Sequence, residues 1–206
     1  MMFPYLFLPF AIARAAAVPQ GGSPTDELSF QSGIPSNHSI GDIEWRGFED
    51  FDEGQAFTGT IENVIHQMRQ IKGTHYMPSF VSRAENHTLE AEPNYHIASR
   101  KVTCGGPPAD LMGTFEGIRY LSHISNSIMC NTPPASCGRI SCSYNSAIYW
   151  CNENSYLTGA RCNMFAQYAI QVFIACTNKN KVSGKILDTN TKLSVKVIGG
   201  ACSGPG

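Results

Sequence analysis

Apolar and polar side chains alternate with a period of two in four stretches of this chain and recur at helical spacing in three others. Residues 139–144 and 147–151 read as the arms of a β-hairpin. Asn145-Ser146 supplies its turn, because Asn tolerates positive φ. Residues 181–187 and 192–198 form a second hairpin around Asp188-Thr189-Asn190-Thr191, with Leu193, Val195 and Val197 pointing inward. A first helix is capped by Thr60, carries Ile61, Val64, Ile65, Met68 and Ile71 on one face, and closes at Gly73. A lone helix of that length must dock on something or fray. A second follows Pro107-Pro108, with Asp110 as N-cap of a helix over 111–123 whose apolar face is Leu111, Phe115, Ile118, Leu121 and Ile124. Gly113 and Gly117 inside it each cost ~1 kcal/mol of helix propensity. Their spacing predicts a backbone lying tight against a sheet. The third helix is expected over 158–175, with Cys162, Phe165, Ala169, Val172 and Cys176 facing inward.

Cysteine usage divides the chain. Cys104, Cys130, Cys137, Cys142, Cys151, Cys162, Cys176 and Cys202 all lie in the second half. Charge divides it at the same place: residues 18–101 carry a balance of −6 and residues 102–206 one of +4. Three segments follow. Residues 1–17 read as a signal peptide, an apolar run too short to span a bilayer, followed by Ala15-Ala16-Ala17. Residues 18–101 read as an acidic, cysteine-free, mostly disordered arm with one short helix, since few apolar residues offset the ordering entropy there. Residues 102–206 read as a disulfide-stapled α+β domain, a small antiparallel sheet of about four strands with two packed helices. Export makes the cysteines candidates for disulfides rather than for metal or redox chemistry, and no metal or cofactor set is read. No second stretch is apolar for long enough to cross a membrane. Two sequons, Asn37-His38-Ser39 and Asn86-His87-Thr88, agree with an extracellular address. Arg100-Lys101 at the junction reads as solvated linker charge or as a processing site.

Geometry limits the pairings. Cys162 and Cys176 on one helix would stand about 21 Å apart, while a disulfide needs Cα atoms within about 7 Å. Each must therefore pin a different element. Cys137 and Cys142 are too far apart on an extended strand, and with the turn at Asn145-Ser146 Cys142 is out of register with Cys151. Cys202 is expected to reach back to Cys104 or Cys130.

The second half offers little for catalysis. Asp110, Glu116, Glu153 and Asp188 are its carboxylates, and Asp110 and Glu116, six residues apart, are expected on different helix faces. Glu153 could act as an acid but shows no partner. His123, the single histidine there, belongs to the end of the second helix and its free carbonyls. A small secreted ribonuclease using His123 and Glu153 with Arg139 or Arg161 is the third-ranked reading. Binding fits better: Tyr144, Tyr149 and Trp150 cannot all face one side of a strand, and Arg139, Asn145 and Asn152 stand beside them. Aromatic faces next to amides suit a sugar, whose CH groups stack while its hydroxyls bond the amides.

The run from Cys137 to Asn152, CGRISCSYNSAIYWCN, with Gly117-Ile118-Arg119-Tyr120-Leu121 upstream, resembles fungal small secreted cysteine-rich proteins of the glycan-binding α/β/α-sandwich lectin-like family. The resemblance spans residues 102–202. It implies helices packed on an antiparallel sheet, no enzymatic activity, and a carbohydrate or cell-surface glycan as partner, with room for a homodimer and no nucleic acid. A looser similarity to fungal killer toxins and necrosis-inducing effectors implies instead a protein acting on a host or competitor target.

Overall fold

The computed structural model describes residue 34 and residues 37–86, 99–200 and 202. Along them run β1 (Ser39–Asp42), β2 (Glu44–Arg46), β3 (Ala56–Thr58), α1 (Ile61–Lys72), α2 (Ser79–Asn86), β4 (Arg100–Asp110), α3 (Leu111–Ser122) and β5 (Met129–Thr132). There follow β6 (Ser136–Ser143), β7 (Ser146–Asn152), β8 (Thr158–Arg161), α4 (Met164–Cys176), β9 (Thr177–Asn178), β10 (Lys181–Asp188) and β11 (Leu193–Gly199). A seven-stranded sheet takes the order β1-β6-β7-β11-β10-β4, with β9 paired to β10 at one end. A smaller sheet takes the order β3-β2-β5-β8.

The mixed α and β character and the stapling are as the sequence suggests, but the element count is not. Seven and four strands replace the single small sheet, and among the described residues α2 joins the three helices read from the sequence. The pairing is antiparallel throughout except for β1 on β6. The largest departure concerns the cysteine-free segment. Instead of a loose arm, residues 37–86 are woven into both sheets: β1 adds to β6, and β2 pairs with β5, setting Trp45 opposite Cys130. Trp45, Phe57, Ile61, Val64 and Met68 are buried in one apolar cluster with Cys130, Cys162, Trp150 and Phe165. The indole Nε1–H of Trp45 donates to the Gly59 carbonyl at 2.8 Å. Its apolar residues are few, but nearly all of them are large and reach the shared core. Residues 1–17, expected as a signal peptide, lie outside the described residues, as do 18–33 and the stretch 87–98.

Local signals hold well. Thr60 caps α1 through the Asn63 N–H, and Gly73 closes it with φ 102°. Ile61, Val64, Ile65 and Met68 are buried, whereas Ile71, past the core's edge, is exposed. Asp110 caps α3 by accepting from the Met112 and Gly113 N–H groups. A Cβ on Gly113 would meet the Ser143 carbonyl oxygen at 2.6 Å, and one on Gly117 would collide with Ser141 Oγ, so the glycines do set α3 tight on the sheet. His123 ends that helix, its Nδ1 donating to the Arg119 carbonyl at 2.8 Å.

Three local expectations shift. Residues 158–161 form β8 against β5 rather than a helical turn, and α4 begins only at Met164, after Cys162 is tied to Cys130. The tight turn is Tyr144-Asn145, with φ of 46° and 57°, one residue earlier than read. A bulge between Arg139 and Ser141 absorbs the extra residue, so Cys137 stands opposite Cys151 and bonds it. Cys202 reaches Cys142, not Cys104 or Cys130, because β11 runs antiparallel to β7 and delivers the chain end beside the β6–β7 turn. Cys104 bonds Cys176. As geometry required, Cys162 and Cys176 take different partners.

The Arg100-Lys101 pair is not linker. Both residues open β4. The Arg100 guanidinium, almost wholly buried, stacks 3.9 Å from the Tyr168 ring centroid and lies 3.6 Å from Asp188 Oδ2. Tyr168 donates to that carboxylate at 2.9 Å. Burial and this hydrogen bond push the Tyr168 phenol up to about 12. A processing protease could not reach Arg100 without unfolding the strand.

One partly buried carboxyl joins α1 to the sheet. Glu62 accepts from Ser141 Oγ at 2.7 Å and from the Cys142 N–H at 3.1 Å. Burial raises its carboxyl above the ordinary value, against the lowering effect of these bonds. A folded-state value above the unfolded one means that its contribution is fully present at acid pH and is lost as pH rises through the folded value. Glu62→Gln should therefore raise Tm at pH 7 by about 3 °C, with the gain vanishing near pH 4; parallel thermal melts of both proteins across that range check it.

Candidate functional site

The sugar-site residues read from the sequence separate into two groups. Trp150 is fully buried, its ring centroid 4.3 Å from that of Phe165, and Tyr149 is buried on the opposite face of the sheet. Asn152 is buried too, and it is a structural hub. Its Nδ2 donates to the Thr132, Pro133 and Tyr156 carbonyls. Its Oδ1 accepts from the Asn154 N–H, the Asn154 side-chain amide and Thr158 Oγ1. Arg139 stands partly exposed opposite Tyr149 in the β6–β7 ladder, its Nη1 3.7 Å from Cys142 Sγ. Tyr144 and Asn145 alone form an exposed pair, at the hairpin turn, with Tyr144 73% exposed.

That turn borders a groove of about 620 Å³ lined by Pro108, Asp110, Met112, Glu116, Tyr144, Asn145 and Lys181. Its construction follows from the glycine spacing of α3. Gly113 admits the Ser143 backbone against the helix, so the hairpin tip lies beside the helix N-terminus. Ser146 fixes the junction: its Oγ accepts the Asp110 N–H at 2.8 Å and donates to the Asp110 carbonyl at 3.0 Å. The Gly200 N–H donates to the Asn145 carbonyl at 3.1 Å. The Leu111 N–H donates to the Asn180 carbonyl at 3.2 Å, which brings Lys181 to the same rim.

Asp110 and Glu116, expected on different faces, line this groove together, because Asp110 is the cap rather than part of the helical ladder. The Gly113 N–H first, and Lys181 at 3.4 Å, hold the Asp110 carboxyl below its ordinary value despite some desolvation. It is thus ionised and engaged, not a proton donor. Glu116 Oε2 accepts from Ser143 Oγ at 3.2 Å. Among the described residues nothing bonds the Tyr144 hydroxyl or the Asn145 side-chain amide. Met112, 65% exposed, adds an apolar flank.

The chain matches no family model, no curated protein and no solved structure.

Met112, Glu116, Lys181 and Pro108 were absent from the sequence-based site. The Gly113–Gly117 spacing was the signal that could have found them, since a helix set that close to a sheet must end against the hairpin it packs on. Glu153, read as an acid without a partner, has several: Lys185 Nζ at 2.8 Å, His38 Nε2 at 3.0 Å and Ser194 Oγ at 3.1 Å. Opposing its desolvation, these hold the Glu153 carboxyl low, the reverse of what a general acid needs. His123 is occupied at the end of α3, far along the helix from the groove. Among the described residues no group of three or more His, Cys, Asp or Glu side chains is placed to hold a metal ion.

Proposed function

We propose that this is a secreted, non-catalytic carbohydrate-binding protein whose sugar site is the groove beneath the Tyr144-Asn145 turn. The observation that carries the reading is the exposed Tyr144 ring, held by an ordered turn next to an amide and a carboxylate. A sugar ring can stack its CH face on the tyrosine while its hydroxyls bond Asn145 and Glu116. Four disulfides support an extracellular address, and no described helix is long and apolar enough to cross a membrane.

A glycan array probed with the full chain tests it, read beside Tyr144→Asn, which keeps a residue tolerant of positive φ at the turn while removing the ring. Discrete glycan signals that fall about tenfold or more in the variant are expected, ~1.5 kcal/mol for a lost stacking platform. An array without signal, or unchanged binding by the variant, contradicts the reading.

A second reading, an effector acting on a host or competitor target, draws on Tyr156 and Leu157, which stand 62% and 64% exposed in the loop between β7 and β8. Loss of toxicity on Tyr156→Ser with Leu157→Ser, at unchanged glycan binding, would favour it. In either case Asn37 lies exposed in the turn before β1 and suits glycosylation, whereas the Asn86 side chain is not among those described. Enzymatic deglycosylation of the exported protein should convert Asn37 to aspartate, detectable in its tryptic peptide.

A further inference from the structure

The charge of the groove beneath the hairpin tip narrows the sugars it would take, given the carbohydrate reading on which this inference rests. Three charged groups line the groove: Asp110, Glu116 and Lys181. Lys181 Nζ lies 3.4 Å from Asp110 Oδ2, while Asp110 Oδ1 accepts from the Met112 and Gly113 N–H groups. That amine and that carboxylate answer each other within the protein. Glu116 has no such counterpart. It is half-buried, forms no ion pair among the described residues, and accepts there only the Ser143 hydroxyl, at 3.2 Å. The wall keeps one negative charge unanswered.

The same groove is poorly built for an anion. The N–H groups at a helix start are a common attraction for one, but those of α3 are used. Leu111 donates to the Asn180 carbonyl, and Met112 and Gly113 donate to Asp110. Lys181 is held by Asp110. An acidic sugar would therefore meet Glu116 with nothing to offset the repulsion between like charges. A neutral sugar offers Glu116 a hydroxyl. A protonated amine offers it a charge-assisted hydrogen bond, roughly twice as strong.

Position agrees with charge. Glu116 Oε2 is bonded to Ser143, the neighbour of Tyr144 in the chain, so carboxylate and ring stand side by side on the hairpin tip. Gly113, three residues before Glu116, permits this: a Cβ there would meet the Ser143 carbonyl oxygen at 2.6 Å and Tyr144 Cβ at 3.1 Å. We infer that the groove selects a hexosamine with a free amino group, its ring stacked on Tyr144 and its ammonium on the Glu116 carboxylate. Acetylation of that amine removes the charge and with it the selected contact.

Calorimetric titration of the full chain tests this, using β-1,4-linked tetramers of glucosamine, N-acetylglucosamine and glucose at a mildly acid pH that keeps the amine protonated. The glucosamine tetramer is expected to bind about tenfold or more tightly than the other two, the effect of one hydrogen bond to a charged group. High salt should shrink the advantage. Glu116→Gln, which keeps an oxygen for Ser143, should abolish the preference while thermal melting shows the variant folded. A preference that survives Glu116→Gln marks general attraction of a polycation to the chain and overturns the inference. Tighter binding of either uncharged tetramer, or array signals confined to acidic glycans, overturns it as well. If such signals still fall in Tyr144→Asn, the sugar site itself stands. A silent array with no tetramer bound removes both the site and its preference.

Discussion

Asn152→Ala is expected to destabilise the protein by about 4 kcal/mol, near the upper end of single-site effects. Asn152 was read from the sequence as a sugar ligand, but its side chain bonds three carbonyls with Nδ2 and receives three donors at Oδ1. Truncation removes a donor from the Thr132, Pro133 and Tyr156 carbonyls and the shared acceptor of the Asn154 N–H, the Asn154 amide and Thr158 Oγ1; Pro133 keeps Ser136 Oγ at 2.7 Å, while the groups left buried without a partner each cost roughly 1–3 kcal/mol. The 133–135 and 154–158 loops, which this amide joins, should loosen together. A shift of the urea midpoint at constant m-value measures the loss. A midpoint within error of the wild type would show that the hub is not needed.

The second large effect concerns the staples. In the chain-entropy picture a cross-link stabilises more the longer the loop it closes. Cys104–Cys176 closes 72 residues and Cys137–Cys151 only 14, giving about 4.4 and 3 kcal/mol respectively. Cys104→Ser with Cys176→Ser should lower Tm by roughly 9–18 °C, and Cys137→Ser with Cys151→Ser by less. The first bond also holds the end of α4 to β4, so its loss frees that helix terminus. Calorimetry of both double variants under oxidising conditions checks the order, and a reversed order would mean that strain or residual structure, not loop length, dominates.

The sequence carried its information unevenly. Capping was legible to the residue at Thr60, Gly73 and Asp110, because a cap is a local hydrogen-bonding requirement. The glycine pair of α3 correctly announced a close approach. Pairings ruled out by distance stayed ruled out. What escaped was long-range. Nothing local tells that Trp45 will lie opposite Cys130, or that an acidic, glycine-rich stretch contains strands completing two sheets. Low average hydrophobicity hid a few large side chains, Trp45, Phe57 and Met68, each fully buried. The turn slipped by one residue because the bulge beside Ile140 cannot be seen in a strand pattern. Of the site, Tyr144 and Asn145 were found and their opposite wall was not. That wall comes from Met112, Glu116 and Lys181, brought to the hairpin by tertiary packing.

The proposed sugar site is a hairpin tip fixed against a helix N-terminus, with Tyr144 as its stacking platform. Amide and side-chain NMR shifts of the full chain, recorded while titrating the strongest array glycan, test that most directly. Perturbations confined to Met112, Glu116, Tyr144, Asn145 and Lys181 are the result it predicts. Perturbations centred on the Tyr156-Leu157 loop or on the sheet face that carries Tyr149, with the hairpin tip silent, would contradict it.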